Sequence, residues 1–335
     1  MGGVVGLGMF IMGVLMVMNM KNTVEGAIPK KLQREINMKN REGPYLGLVI
    51  PNTFEMNPLL EHPSFFFSFP YIDFAGITTQ MLLDLFKVEG VVHYGIAGNA
   101  DPSLNIGDVA IPQYWAHSAL WNWQRYGSGP ENQLPLEAAG DYTRKIGYLK
   151  FSDYTAKFKN LNGNLLNNVW YQPEEVFPVS GTPEERQHAF WVPVDSHYFN
   201  ISKTLQVKMK GLNPFSLPFL FHVGWRGSLN KTTCLDPSPR VVTVYRGTSA
   251  SIYLDNAAYR SFIYNKFGVS PVDMESASVA LICSQQGVPF IVIRALSDLA
   301  GGGSAQSNEA DTFTPIAATN SVRVVVEFIK KLGSH

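Results

Sequence analysis

Residues 272–298 read VDMESASVALICSQQGVPFIVIRALSD, and the order of segments inside this stretch decides the fold class. Pro271 to Met274 is short and extended. Glu275 to Gln286 carries apolar residues at helical spacing and ends at Gly287, a residue suited to the left-handed turn that closes a helix. Pro289 to Ala295 is an unbroken apolar run without period-two alternation, as a strand covered on both faces requires. Strand, helix, strand within so short a distance predicts a parallel α/β unit.

The same alternation extends outward. Upstream, Val241 to Tyr245 is a strand, and Asp255 is placed to cap a helix from Asn256 to Phe267 that Gly268 ends. Downstream, Pro315 to Leu332 is an amphipathic closing helix. In the N-terminal half Leu46 to Ile50 predicts the first buried strand. Ile77 to Val88 predicts a helix with Ile77, Met81, Leu82, Leu85 and Phe86 on one stripe and Gly90 near its stop. Val91 to Tyr94 predicts a strand, Gly95 to Asn99 a glycine-bearing loop, and Asp108 to Pro112 another strand. Residues 113–240, rich in Trp, Tyr, Pro and Asn, carry no clear period. No repeat or low-complexity linker divides the chain, so the expectation is one α/β domain over 45–335. Its central sheet is mixed, mainly parallel and covered by helices on both faces.

Composition narrows the function classes. The 335 residues hold 27 basic and 27 acidic side chains, a zero formal net charge that excludes a basic nucleic-acid-binding surface. At 45% hydrophobic the chain buries a large core, and disorder is excluded for most of its length. Two cysteines, Cys234 and Cys283, make neither a disulfide framework nor a zinc site, and the seven histidines have no metal-ligand spacing.

The first charged side chain is Lys21, and Val4 to Met18 is almost wholly apolar. Residues 1–27 therefore read as a secretory signal peptide, or as an anchor that touches the membrane if uncleaved; a buried start is the third alternative. The sequons at Asn200 and Asn230 agree with a vacuolar or extracellular destination. Residues 28–44, with Ile28, Leu32 and Ile36 four apart, predict a surface helix.

Ligand crevices of α/β sheets lie at the carboxyl ends of strands, which singles out Gly95 to Asn99, Met274-Glu275 and Ser297-Asp298. The stretches HYGIAGNADPSLNIGDVAIP (93–112), VDMESASVALICSQQGVPFIVIRALSD (272–298) and LGLVIPNTFEMNPLL (46–60) resemble the nucleoside phosphorylase and methylthioadenosine nucleosidase superfamily. QYWAHSALWNWQRYG (113–127) and LDNAAYRSF (254–262) resemble its plant branch, which holds bark and vegetative storage proteins and cytokinin-riboside phosphorylases. The resemblance spans roughly 45–332, and the M-E-S-A with R-A-L-S-D pair is its most specific part.

The resemblance implies cleavage of the N-glycosidic bond of a purine-type nucleoside by phosphate or water. Asp298 would protonate or hydrogen-bond N7 of the base, Glu275 would hold the 2'- and 3'-hydroxyls, and Met274 would pack under the sugar. Tyr253 would stack on the base, and Glu55 would orient an attacking water. Gly95, Ile96, Ala97 and Gly98 would line the nucleophile side, with Ser297 beside Asp298. No metal or organic cofactor is implied, inorganic phosphate would be a co-substrate of phosphorolysis, and relatives form homo-oligomers. Plainer readings stand beside these: Asp298 as cap of the following turn, Glu275 as a helix N-terminal acid, Tyr253 as a core residue. His93 reads as a half-buried structural histidine.

Two departures bear on function. His93 and Ile96 stand where many relatives have Arg or Ser, so phosphate would lose charge-assisted donors. Only 44 residues separate Ile50 from Gly95, too few for the strands and the glycine-bearing loop that relatives carry before the helix at Ile77. The expectation is a sheet lacking part of its N-terminal half and an unpaired strand edge. A storage glycoprotein with the fold but little activity is the alternative function, and a nucleoside-binding module without turnover the third.

Overall fold

The computed structural model describes residues 28–63, 75–123, 146–150, 168–179, 186–209, 239–302 and 309–334. The apolar run of residues 1–27, Phe65 to Phe67, Asp73-Phe74, the Asn230 sequon, Cys234 and Gly303 lie outside the described residues. In chain order the N-terminal elements are α1 (Lys30–Glu42), β1 (Tyr45–Val49), α2 (Thr53–Leu60), α3 (Ala75–Leu85), β2 (Val88–Asn99) and β3 (Val109–His117). Six short strands follow: β4 (Trp121–Trp123), β5 (Tyr148–Lys150), β6 (Asn168–Tyr171), β7 (Glu174–Val176), β8 (Gln187–Ala189) and β9 (Val192–Pro193). The chain continues through α4 (Ser196–Ser202), β10 (Val241–Ser249), α5 (Ala257–Phe267), β11 (Val269–Asp273), α6 (Ser276–Gln286), β12 (Phe290–Leu299) and α7 (Glu309–Leu332).

The main sheet is mixed and mostly parallel. It runs β1-β2-β11-β10-β3-β12, with β9 beside β3, and β12 also pairs with β2. That last pairing closes β2, β11, β10, β3 and β12 into a ring, so the sheet curls on itself instead of lying open. β12 is the axis of the core: Ile291, Val292, Ile293, Ala295 and Leu296 are all fully buried. Both faces of this strand need apolar cover, which is why its sequence shows no alternation. α7 packs on β12 and β2, α2 on α7, and α3 on α6 and β1.

Local stops follow backbone chemistry. Gly268 (φ 65°) and Gly287 (φ 66°) close α5 and α6 in the left-handed conformation. The cap of α5 is Asn256, whose side chain accepts from the Tyr259 amide at 2.8 Å, and not Asp255 one residue earlier. α7 begins at Glu309, with Pro315 inside it and not at its start.

Three N-terminal expectations need correction. Gly95 to Asn99 is not a loop; it is the second half of β2, paired residue by residue with β12 from Arg294↔Gly95 to Leu299↔Asn99. Gly90 does not stop a helix, since α3 ends at Leu85 and Gly90 lies inside β2. A Cβ there would overlap the Tyr198 hydroxyl and ring, so packing explains the glycine. Ile77 is 66% exposed, and Thr79 is buried in its stead, its hydroxyl satisfied by the Ala75 carbonyl at 2.6 Å.

The described residues between Val49 and Val88 form two helices and no strand, and β1 pairs only with β2 among the described residues; residues 64–74, part of the segment expected to fall short, lie outside the described residues. The edge expected to be unpaired is covered: all five residues of β1 are buried. Tyr45 donates to the Lys39 carbonyl of α1, and Asn40 bridges Leu85 O and the Lys87 amide, tying α1 and the end of α3 over this flank. Residues from the stretch without a clear period build β4-β6-β5 and β7-β8. Around them Tyr171, Phe190, Phe262 and Phe267 form an aromatic cluster under α5. Among the described residues no helix is long and apolar enough to cross a membrane.

Candidate active site

The carboxyl ends of β1, β2, β10, β11 and β12 converge on a cavity of about 180 Å³. It is lined by Asn52 and Glu55 after β1, by Ile96, Ala97 and Gly98 of β2, and by Ile252, Tyr253 and Leu254 after β10. Asp273, Met274 and Glu275 at the β11–α6 junction and Ser297 and Asp298 of β12 complete the wall. Of the residues singled out at the strand ends, and of Glu55 and Tyr253, all line one cavity except Gly95 and Asn99, the latter turned to the Asp101 and Leu104 carbonyls. Gly95 stands directly behind the cavity, where a Cβ would overlap Arg294 Nη1 and Glu55 Oε1. This glycine is a demand of space, not a flexible loop element.

Glu55 sits in the first turn of α2. The Asn52 side chain accepts from the Glu55 amide (3.1 Å) and donates to Glu55 Oε2 (2.7 Å), while the Ile96 amide donates to Oε1 (2.6 Å). The carboxyl is 2% exposed, and burial pushes its pKa up to about 7 against the pull of Arg294 and the Ile96 amide. Of the two opposing influences Arg294 is the larger, its Nη1 standing 3.7 Å from Oε1.

Arg294, fully buried in the middle of β12, is the centre of the cluster. Its Nε lies 2.6 Å from Asp273 Oδ2 and 2.9 Å from Ser276 Oγ, its Nη1 donates to the Ile96 carbonyl at 3.2 Å, and its Nη2 lies 3.6 Å from Glu275 Oε2. Nη2 also makes a short contact with His93 Nε2. Asp273 in turn accepts from the Ser249 and Ser276 hydroxyls and from the amides of Glu275 (3.2 Å) and Ser276 (3.1 Å). The start of α6, and with it Glu275, is thereby fixed. Glu275 keeps 31% of its side chain exposed toward the cavity, at the electropositive end of the helix.

Asp298 owes its direction to a bulge. The β12–β2 register shifts between Leu296 and Asp298, so Ser297 has no partner and two consecutive side chains, Ser297 and Asp298, reach the same cavity. The Ser297 hydroxyl lies 2.6 Å from Asp298 Oδ1, orienting the carboxyl. Met274 and Tyr253, 46% and 66% exposed, form the apolar mouth. No Lys, Arg or His is among the described residues lining the cavity, and among the described residues no group of three or more His, Cys, Asp or Glu is arranged to hold a metal ion.

Reading the sequence missed Arg294, Asp273 and Asn52, and His93 is completely buried, not half-buried. One signal for Arg294 was available: an arginine inside an otherwise apolar strand must find carboxylate partners. Nothing in the sequence distinguished Asp273 from an ordinary helix-capping residue.

The phosphorylase superfamily model matches residues 183–330. Bark storage protein A of Populus deltoides is 28% identical over 76% of this chain and 69% of that protein. A 5'-methylthioadenosine/S-adenosylhomocysteine nucleosidase of Mycobacterium tuberculosis is 27% identical over 77% of each chain. Among solved structures, a Helicobacter pylori MTAN mutant with 5'-methylthioadenosine in its active site superposes with a TM-score of 0.52 at 16% identity, covering 86% of this chain and 99% of that one, a likeness of fold. The chain is thus similar to the phosphorylase superfamily over residues 183–330 and to bark storage and nucleosidase proteins over about three quarters of its length, and it shares the fold of the solved nucleosidase.

Proposed function

We propose that the protein hydrolyses the N-glycosidic bond of a purine-type nucleoside. The observation that carries this reading is that Glu275 and Asp298 line one cavity with Glu55 on its wall. In the proposed reaction Asp298 gives a proton or hydrogen bond to N7, the C1'–N9 electron pair leaves with the base, and the sugar gains oxocarbenium character. The carboxylate of Glu275 holds the 2'- and 3'-hydroxyls and stabilises the cationic sugar. Glu55 takes a proton from a water molecule whose oxygen forms the new bond to C1'. A carboxyl that titrates at about 7 suits a general base at neutral pH.

Water is favoured over phosphate by charge. Arg294 is engaged by Asp273, Glu55 and Glu275, and the cavity's described lining contains acids and no cation. A phosphate dianion would meet repulsion there without the charge-assisted donors it needs. Incubation with adenosine, inosine, methylthioadenosine or an isopentenyladenine riboside should release free base at the same rate with and without phosphate. Release that depends on phosphate would replace hydrolysis by phosphorolysis, and no release from any of them would remove the reading. The bark storage protein relatives favour a second reading, a reserve protein with residual activity. High abundance in storage tissue together with negligible turnover would support it.

A further inference from the structure

His93 lies on β2 with its ring fully buried between β1 and the core of the acidic cluster. Nδ1 is 2.8 Å from the Val49 carbonyl, an acceptor only, so Nδ1 carries a proton and donates it. Nε2 meets Arg294 Nη2, a donor only, so Nε2 presents its lone pair. The two neighbours thus fix a neutral ring in one tautomer. Burial and the adjacent guanidinium both hold its pKa well below the ordinary histidine value.

Three other contacts hold the guanidinium at Nε and Nη1: Asp273 and Ser276 hold the first, and the Ile96 carbonyl holds the second. Nη2, the nitrogen facing Glu275 at 3.6 Å, makes a short bond to His93. We infer that His93 is a positioning residue: its Nε2 lone pair sets the plane of Arg294, so that one guanidinium edge serves Glu55 and the other Glu275. This role rests on reading the cavity as a site of glycosidic cleavage. His93 itself lies behind the wall and touches no substrate.

Two substitutions separate the two ring nitrogens. An asparagine amide imitates Nδ1 and a glutamine amide imitates Nε2, so His93→Asn keeps the donor to Val49 and loses the acceptor for Arg294, whereas His93→Gln does the reverse. The groups facing the pair are Arg294, Glu55, Asp273 and Glu275. The expected result is that H93N lowers kcat by about tenfold or more with KM changed less than about threefold, while H93Q recovers most of the loss. With Arg294 turned away from Glu55, the acid limb of the kcat/KM profile should also move to higher pH in H93N and not in H93Q. Equal losses in both variants that track their melting temperatures, or no loss in either, would overturn the role.

Nitrogen-15 NMR of the wild-type protein decides the matter even if H93N fails to fold or the protein releases no base. One histidine should show a protonated Nδ1 and an unprotonated Nε2, unchanged from about pH 5 to about pH 8. An imidazolium signal within that range, or a proton on Nε2, would overturn the inference without touching the proposed reaction. Absent base release beside the expected tautomer would remove the reaction and leave the His93–Arg294 contact standing.

Discussion

The cavity has two unlike sides. On the inner side Arg294 and His93 are fully buried and Glu55 is 2% exposed, each held by named partners; at the mouth Ile252, Tyr253 and Met274 are 44%, 66% and 46% exposed. The inner side is a set of fixed charges that solvent does not rearrange, the arrangement that stabilises a developing positive charge at least reorganisation cost. The mouth is adaptable apolar surface, suited to the flat face of a base and to sugar carbons. Chemistry should therefore depend steeply on the inner residues and recognition more gently on the outer ones.

The largest expected effect is on Asp298. Replacing it by Ala should lower kcat for base release by about 10²- to 10⁴-fold, as loss of a general acid does, with the fold retained. Unchanged turnover in this variant would remove the assignment. Arg294→Met should come next: leaving Asp273 and Glu55 without their cation costs about 3–5 kcal/mol in denaturant unfolding. A melt matching the wild type would mean that the cluster is not a buried charge network.

Glu55 gives a pH test with a definite sign. The unfolded carboxyl titrates near 4.5 and the folded one at about 7, so the folded state binds the extra proton between them. The stability tied to that proton is fully present below about 4.5 and is lost as pH rises through about 7. Glu55→Gln should therefore unfold less readily than the wild type above neutrality, by on the order of 3 kcal/mol or less, with the gap closing in acid. In the wild type kcat/KM should rise through about pH 7 as the carboxylate forms. A flat acid limb would sink Glu55 as the base. The smallest effect belongs to the mouth, where Tyr253→Ala should raise KM several-fold, about 1 kcal/mol, with little change in kcat. A kcat loss as large as that of Asp298 would erase the distinction between the two sides.

What the sequence disclosed follows the same division. Apolar runs and glycine stops located β10, β11, β12, α5 and α6 because local chemistry governs them. The ring closure of the sheet rests on the pairing of β2 with β12, nearly two hundred residues apart in the chain, and no local pattern encodes it. Gly95 to Asn99 looked like a loop because glycine in a polar-flanked stretch commonly is one; here the space is taken by Glu55 and Arg294. The motif residues that face the cavity were legible, whereas the partners that hold them, Asp273, Asn52 and His93, act through tertiary contacts that spacing does not reveal.

The most direct test is a crystal structure with a purine C-nucleoside, whose carbon–carbon linkage cannot be cleaved. The ribose diol should lie within hydrogen-bond distance of Glu275, with the base edge that carries N7 against Asp298 and the ring beside Tyr253. A ligand bound elsewhere, or one whose sugar and base contact neither carboxyl, would contradict the account.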